Sequence, residues 1–428
     1  MHLPRLTFAH PPGVCARYDQ LLACSRCATC APVCPSYAAT LQETHSPRGR
    51  VQLLRALEEN RLPVTPGVRD ALATCLDCQA CASVCPNGLS PGELVTEMRA
   101  THLTDRSSAR WLTRLLLGPM LTHPRWLEGG VGLTRLAYQR TGLQSLLRAS
   151  GLLDAFPTLK RLERALPPLP ARSVRARMPA LVPAIGPQRG RIGFFLGCAM
   201  NTLFADVTCH SIRALTRLGY EVLIPRGVVC CGAPQISLGE RDLAQQMARH
   251  NLAQFDAVDF IVTDCAACGA ELKRYPHLLE DPAADAFAAR VRDFAEFVEP
   301  RLPADARLEI GSVTYHAPCH LAHAQGVCHQ PRALLRHLCA DFRDLPEHDR
   351  CCGSAGVYWA QHPEIADHTL ARKVKAIRHT GADNVVTANP GCLLQLAAGR
   401  DAQDTWAVWH ISELIDAALG EGAGPSAP

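Results

Sequence analysis

The residues best equipped for chemistry are cysteines in two spaced runs. The first reads Cys24-x2-Cys27-x2-Cys30-x3-Cys34-Pro35. The second, Cys75-x2-Cys78-x2-Cys81-x3-Cys85-Pro86, repeats it 51 residues later. Three thiolates two residues apart on a tight loop can converge on three irons of one cubane. The fourth, just before a proline, points away at the start of the next segment and ligates the other cluster, as in proteins with two [4Fe–4S] clusters. Cluster 1 is therefore assigned to Cys24, Cys27, Cys30 and Cys85, and cluster 2 to Cys75, Cys78, Cys81 and Cys34. Structural zinc fits poorly, because zinc sites pair two Cys-x2-Cys units across a longer loop. Paired clusters exchange one electron each and perform no bond chemistry, so the catalytic residues are unknown. Between the runs, Ser46-Pro47-Arg48-Gly49-Arg50 either places positive charge beside anionic clusters or starts a helix with solvated arginines. Cys15 stands outside both runs as an ordinary thiol.

A second duplicated set occupies the C-terminal half. Gly197-Cys198, Cys230-Cys231-Gly232 and Cys265-x2-Cys268-Gly269 are matched by Cys319 in His316-Ala-Pro-Cys-His320, then Cys351-Cys352-Gly353 and Gly391-Cys392. Vicinal thiols strain badly as a disulfide, and glycine lets backbone approach a bulky group closely. The first repeat offers Cys198, Cys230, Cys231, Cys265 and Cys268 to a third iron–sulfur cluster. The second offers only Cys319, Cys351, Cys352 and Cys392, because Asn389 stands where a cysteine is expected. The alternative is that these are reduced, buried thiols in an inherited fold. His316, His320 and His323 flank Cys319, where they either tune or ligate a cluster or handle protons; for His323 an ordinary surface or core role is preferred.

The elements that must carry these residues follow from periodicity. Short β-type runs alternate with helical segments after Gly190: strands at 192–196, 220–224, 260–262, 313–315 and 385–387, with helices at 203–218, 245–255, 331–340 and 365–377. Strands alternating with helices imply parallel βα units. The cysteine-free stretch between the halves is helix-like around Trp111–Leu117 and Leu143–Leu153, and Leu166–Arg189 is proline- and arginine-rich and expected to be an extended linker. The Trp111–Leu117 segment packs on the neighbouring domain or rests on a membrane surface, packing being preferred. The expected fold class is α+β. A mostly helical, bacterial-ferredoxin-like two-cluster domain (15–100) is followed by a helical connector and linker (101–190) and two tandem α/β repeats (191–300 and 311–419).

Composition narrows the class. Hydrophobic residues make up 47% against 20% charged, which excludes wholesale disorder. A formal net charge of +4 and 5% aromatic residues leave neither a strongly basic face nor stacking platforms for nucleic acid. The 21 cysteines would suit disulfides in a secreted chain, but Met1–His10 lacks a signal-peptide pattern and no apolar run reaches the ~18 residues of a membrane span. Clustered cysteines in a reducing compartment are metal-binding or catalytic. The expected location is the cytoplasm, or peripherally the inner face of the membrane. No Gly-x-Gly-x2-Gly follows a strand, so a flavin or dinucleotide is not indicated in this chain.

The C-terminal segments resemble the "CCG" cysteine-rich domains of the heterodisulfide reductase B-subunit superfamily, in which such cysteines bind an unusual iron–sulfur cluster. With the ferredoxin-like domain, the chain from about Leu22 to Leu419 resembles the iron–sulfur subunits of glycolate oxidase. The resemblance is carried by Pro47-Arg48-Gly49-Arg50, by Cys351-Cys352-Gly353-Ser354-Ala355-Gly356, by Thr387-Ala388-Asn389-Pro390-Gly391-Cys392 and by Trp409-His410-Ile411. It implies a complex in which a separate FAD subunit oxidises glycolate to glyoxylate and this chain passes electrons to a quinone or other membrane acceptor. Related subunits serve lactate and anaerobic glycerol-3-phosphate dehydrogenation. A contrasting implication is that the CCG repeats themselves form a site that reduces a disulfide or quinone.

Overall fold

The computed structural model describes residues 18–102, 118, 120–164, 166–356 and 358–420. Cys15 and Trp111–Leu117 lie outside them. The N-terminal part is built of short helices: Tyr18–Leu22, Pro35–Thr40, Pro47–Glu58, Pro66–Ala73, Ala80–Ser83 and Pro91–His102. Several begin at proline, whose missing N–H costs nothing in a first turn. The Ser46 and Thr65 hydroxyls cap two of them by accepting from the Gly49 and Val68 amides. Their apolar faces meet in a small core around Val51, Leu54, Leu72 and Val95.

The connector runs through the helices Pro124–Thr134, Leu143–Ala149 and Pro157–Arg164. Beyond it, the expectation of a plain extended linker needs correction. Val174–Arg177 forms a helical turn that buries Val174, and Leu181–Val182 (β1) pairs antiparallel with the edge of the first sheet. Pro179 and Pro183 bracket that dipeptide and favour extended backbone, while the sheet edge offers unpaired peptide groups.

The first sheet contains Gly190–Phe194 (β2), Tyr220–Leu223 (β3), Phe260–Thr263 (β4) and Val291–Asp293 (β5) in the order β1-β3-β2-β4-β5. Only β1 is antiparallel. The second sheet contains Val313–Tyr315 (β6), Phe342–Arg343 (β7), Asn384–Thr387 (β8) and Ala407–His410 (β9) in the order β7-β6-β8-β9, all parallel. The two orders coincide once β1 is set aside, so the cysteine duplication is a duplication of fold, and the class is α+β as expected. The edge strands β5 and β9 escaped periodicity because Val-Arg-Asp and Ala-Val-Trp-His mix charged or half-buried positions into the run instead of forming a continuous apolar one.

The repeats exchange their last helices. Phe294–Val298, after β5, packs on His329–Leu338 of the second repeat, and Ile411–Leu419, after β9, packs on Ala205–Arg217 of the first. Ile212, Leu215, Leu334, Leu335, Leu414 and Ile415 thereby share one core. At its rim the Asp416 carboxylate accepts from Arg213 at 3.0 Å and Arg217 at 2.5 Å.

The N-terminal unit docks on both repeats. The Tyr358 hydroxyl donates to the Thr74 carbonyl at 2.9 Å and Arg350 to the Pro32 carbonyl at 3.2 Å. Arg274 of the first repeat faces Asp77 at 3.6 Å and Glu93 at 3.5 Å. Among the described residues, no helix is long and apolar enough to cross a membrane.

Candidate iron–sulfur centres

Each N-terminal loop is shaped by two left-handed residues at matching positions: Arg26 (φ 60°) and Ala28 (φ 68°) in the first, Asp77 (φ 52°) and Gln79 (φ 59°) in the second. Non-glycine residues adopt this region rarely, and such strain persists where the surroundings over-determine it. The result is that the side chains of each run turn to one side. Cys24, Cys27, Cys30 and Cys85 line one cavity. Cys34, Cys75, Cys78 and Cys81 line another. These are the two crossed sets read from the spacing, and all eight thiols are free.

The electrostatics suit an anionic group. Arg50 is buried and fully used: Nε donates to the Ala71 carbonyl at 2.6 Å, Nη2 to Ser36 and Thr74 Oγ at 2.9 and 3.1 Å, and Nη1 reaches the Cys34 sulfur at 3.9 Å. Arg48 pairs with Glu43 at 2.6 Å and reaches the Arg26 carbonyl, lining the first cavity. Of the two readings of this segment, Arg50 carries charge at a sulfur, while Ser46 does cap a helix. Gly49 is required because a Cβ there would lie 1.9 Å from the Glu43 carbonyl oxygen. Cys27 is exposed, whereas Cys78 and Cys81 are buried, and burial pushes both buried thiols well up from their ordinary pKa.

In the first repeat the five cysteines come from three strand-to-helix turns. Cys198 opens the helix Cys198–Thr202, Cys230 and Cys231 precede Ala233–Ser237, and Cys265 caps Ala266–Leu279 with its sulfur accepting from the Cys268 amide at 3.4 Å. The longest of these helices turns the positive end of its dipole toward the sulfurs. Gly232 sits at φ 98°, which explains the glycine after the vicinal pair. The Cys198 and Cys230 sulfurs are 3.9 Å apart, and the Cys231 thiol neighbours those of Cys230 and Cys268. Hydrogen bonds from those neighbours hold the Cys231 thiol below its ordinary value, while Cys198, Cys230 and Cys268 are held above theirs.

The second repeat repeats the plan. The Cys319 thiol neighbours that of Cys351, Cys351 neighbours Cys352, and the Cys352 and Cys392 sulfurs are 3.4 Å apart. Gly353 takes φ 88°, and a Cβ would meet the Ala366 carbonyl oxygen at 2.7 Å. His320 Nδ1 lies 3.5 Å from the Cys319 sulfur, and His323 turns to the Asp349 carbonyl at 3.1 Å. His316 is fully buried with neither ring nitrogen hydrogen-bonded, and its ligand atom and those of Cys352 and Cys392 lie within 4.8 Å of one another. Burial first, then the Lys373 charge, holds this imidazole well below its ordinary pKa, hence neutral.

Two juxtapositions were not legible in the spacing. Cys78 shares an apolar cluster with Cys319 and Cys351, which sets the second N-terminal site against the second repeat. Asn389 joins the repeats: Cys265 donates to its Oδ1 at 3.7 Å, and its Nδ2 points to the Cys392 sulfur at 3.6 Å. An asparagine capping a helix one repeat length after Cys265 was the available signal. The donor set fits iron–sulfur groups: converging free thiols, helix N-termini and a buried guanidinium, with carboxylates turned to arginines elsewhere.

Comparison with known proteins agrees in kind. Residues 20–89 match a 4Fe-4S dicluster domain, and residues 192–273 and 313–397 each match a cysteine-rich domain. Residues 108–166 match the linker region of the glycolate oxidase iron-sulfur subunit. The chain is 36% identical over 421 residues to the probable glycolate oxidase iron-sulfur subunit of Bacillus subtilis, covering 95% of this chain and 94% of the relative. It is 29% identical to the glycolate oxidase iron-sulfur subunit of Escherichia coli, over 93% and 94% of the two chains. One of the subunits of a fumarate reductase (CoM/CoB) from Methanothermobacter marburgensis is 30% identical over 83% of this chain and 63% of that relative.

Proposed function

This chain belongs to the family of glycolate oxidase iron–sulfur subunits, and we propose that it carries electrons from an FAD-containing partner subunit, which oxidises glycolate to glyoxylate, toward a quinone or other membrane acceptor. Iron–sulfur clusters supply one-electron uptake and release. The chain's own residues hold them, space them and keep water from them. Cys24, Cys27, Cys30 and Cys85 would hold cluster 1, and Cys75, Cys78, Cys81 and Cys34 cluster 2, within a domain spanning 15–100. Cys198, Cys230, Cys231, Cys265 and Cys268 would hold a third in the first CCG repeat.

One observation carries this function: the cysteine sets succeed one another through the molecule, the two N-terminal sets being neighbours through Cys30 and Cys81. The file starts at exposed Cys27, continues through Cys78 to Cys319, Cys351, Cys352 and Cys392, and crosses Asn389 to Cys265, Cys268, Cys231, Cys230 and Cys198. A file with a buried run between exposed Cys27 and half-buried Cys198 suits transfer between two partners better than chemistry on a substrate. The related lactate complexes share the framework, and the substrate is decided by the partner.

The test is anaerobic co-purification with the flavoprotein partner, followed by iron, acid-labile sulfide and EPR after adding glycolate. We expect about twelve irons or more per chain, cluster signals that appear on glycolate addition, and loss of N-terminal signals in Cys24→Ser and Cys75→Ser. Zinc in place of iron, or clusters that stay oxidised with glycolate yet reduce with lactate, would refute respectively the electron-carrying role and the substrate.

A further inference from the structure

We propose that His316 is the fifth ligand of an iron–sulfur centre in the second repeat, replacing the thiolate absent at Asn389, so that Cys319, Cys351, Cys352, Cys392 and His316 form a mixed sulfur–nitrogen site. This deepens the electron-carrying function above and rests on it. The argument begins from the duplication. His316 and Phe195 occupy the same place, each just past the central strand of its sheet, with its amide bonded to the neighbouring strand: His316 to the Val386 carbonyl at 2.9 Å, Phe195 to the Val262 carbonyl at 2.8 Å. In the first repeat Phe195 belongs to the same buried apolar cluster as Cys230, Cys231, Cys265 and Cys268, an inert side chain where the second repeat has an imidazole. In the second repeat two positions have changed together: the fifth thiol has become Asn389 and the inert side chain has become an imidazole. The ligand count is five on both sides.

The state of the imidazole supports the assignment. A fully buried histidine normally spends its ring nitrogens on hydrogen bonds, yet neither nitrogen of His316 makes one of ordinary geometry, the His348 backbone being a polar neighbour among the described residues. Its ligand atom, the Cys352 sulfur and the Cys392 sulfur lie within 4.8 Å of one another, a separation that a shared metal centre spans. Asn389 is otherwise engaged, its amide bridging toward Cys265 and Cys392 and its Oδ1 also accepting from the Ala267 amide at 3.2 Å. It acts as a spacer between the two sites and leaves the open position to His316. Exchanging a thiolate for a neutral imidazole removes negative charge and raises a cluster's reduction potential. The second repeat, whose Cys319 and Cys351 share an apolar cluster with Cys78 of the N-terminal unit, is then the more easily reduced of the two C-terminal centres.

The experiment uses the full chain purified anaerobically with its partner, as wild type, His316→Ala and His316→Cys, grown with and without 15N-histidine. Readouts are iron and sulfide per chain, circular dichroism, and pulsed EPR combined with a redox titration. The expected results are a histidine-nitrogen coupling on one reduced centre of the wild type and loss of about one cluster's iron in His316→Ala. His316→Cys should keep the iron, lose the nitrogen coupling and move that centre to lower potential. Full iron and unchanged potentials in His316→Ala would overturn the assignment, as would zinc bound in the second repeat. The N-terminal signals separate the two levels: if they are present while His316 variants are silent, only the ligand assignment fails. If they are absent from the wild type, the electron-carrying function fails with it.

Discussion

Asp293 and His410 end the equivalent edge strands of the two repeats, and each caps the helix that crosses to the other repeat. Both are sealed from water. Burial holds the His410 imidazole down to about 4, and burial pushes the Asp293 carboxyl up to about 7, against the Ala295 amide that donates to it. For Asp293 the folded chain therefore keeps a proton that the unfolded chain has released. No penalty exists below about pH 4, and stability is lost as pH rises from there to about 7, by at most about 4 kcal/mol. Asparagine preserves the cap without the charge. Asp293→Asn should match the wild type in thermal midpoint near pH 4 and exceed it increasingly up to pH 7. A constant difference across that range would remove Asp293 from the pH dependence.

At the scale of elements, the exchanged helices make the repeats interdependent. Ile411, Leu414 and Ile415 are fully buried, and they pack on Ala205–Arg217, which belongs to the other repeat. Burying three such side chains contributes roughly 5 kcal/mol or more, comparable with the whole stability of a domain. Ending the chain after His410 should therefore expose the first repeat to proteolysis as readily as the second, although the deleted helix follows the second in sequence. Continued protection of residues 191–300 in that truncated chain would show the repeats to be independent.

At the scale of the molecule, electron passage depends on how the N-terminal unit sits on the repeats. Arg274 stands at that seam between Asp77, Glu93 and Glu271, the last at 4.0 Å. Burial first, relieved by Arg274, pushes the Glu271 carboxyl up to about 7. Separations of 3.5–4.0 Å place the network between exposed and fully buried pairs, so Arg274→Ala should cost about 1–3 kcal/mol. Hydrogen exchange in Pro91–His102 should rise while the cluster signals persist, and Arg274→Lys should restore part of the protection. Unchanged exchange would mean that the Tyr358 and Arg350 contacts alone hold the seam.

The spacing of the N-terminal cysteines determined by itself which eight converge. Ligand spacing in a tight loop is a local property, and the left-handed residues at 26, 28, 77 and 79 express it within a few residues. The alternation of strands and helices likewise determined two parallel βα repeats, because burial on both faces writes itself into continuous apolar runs. Tertiary structure alone decided the rest. The exchange of Phe294–Val298 and Ile411–Leu419, the approach of Cys78 to Cys319, the burial of Arg50 against Cys34 and the bridge at Asn389 join residues far apart in the chain. Such contacts depend on how finished surfaces fit together, and no residue's neighbours in sequence record that.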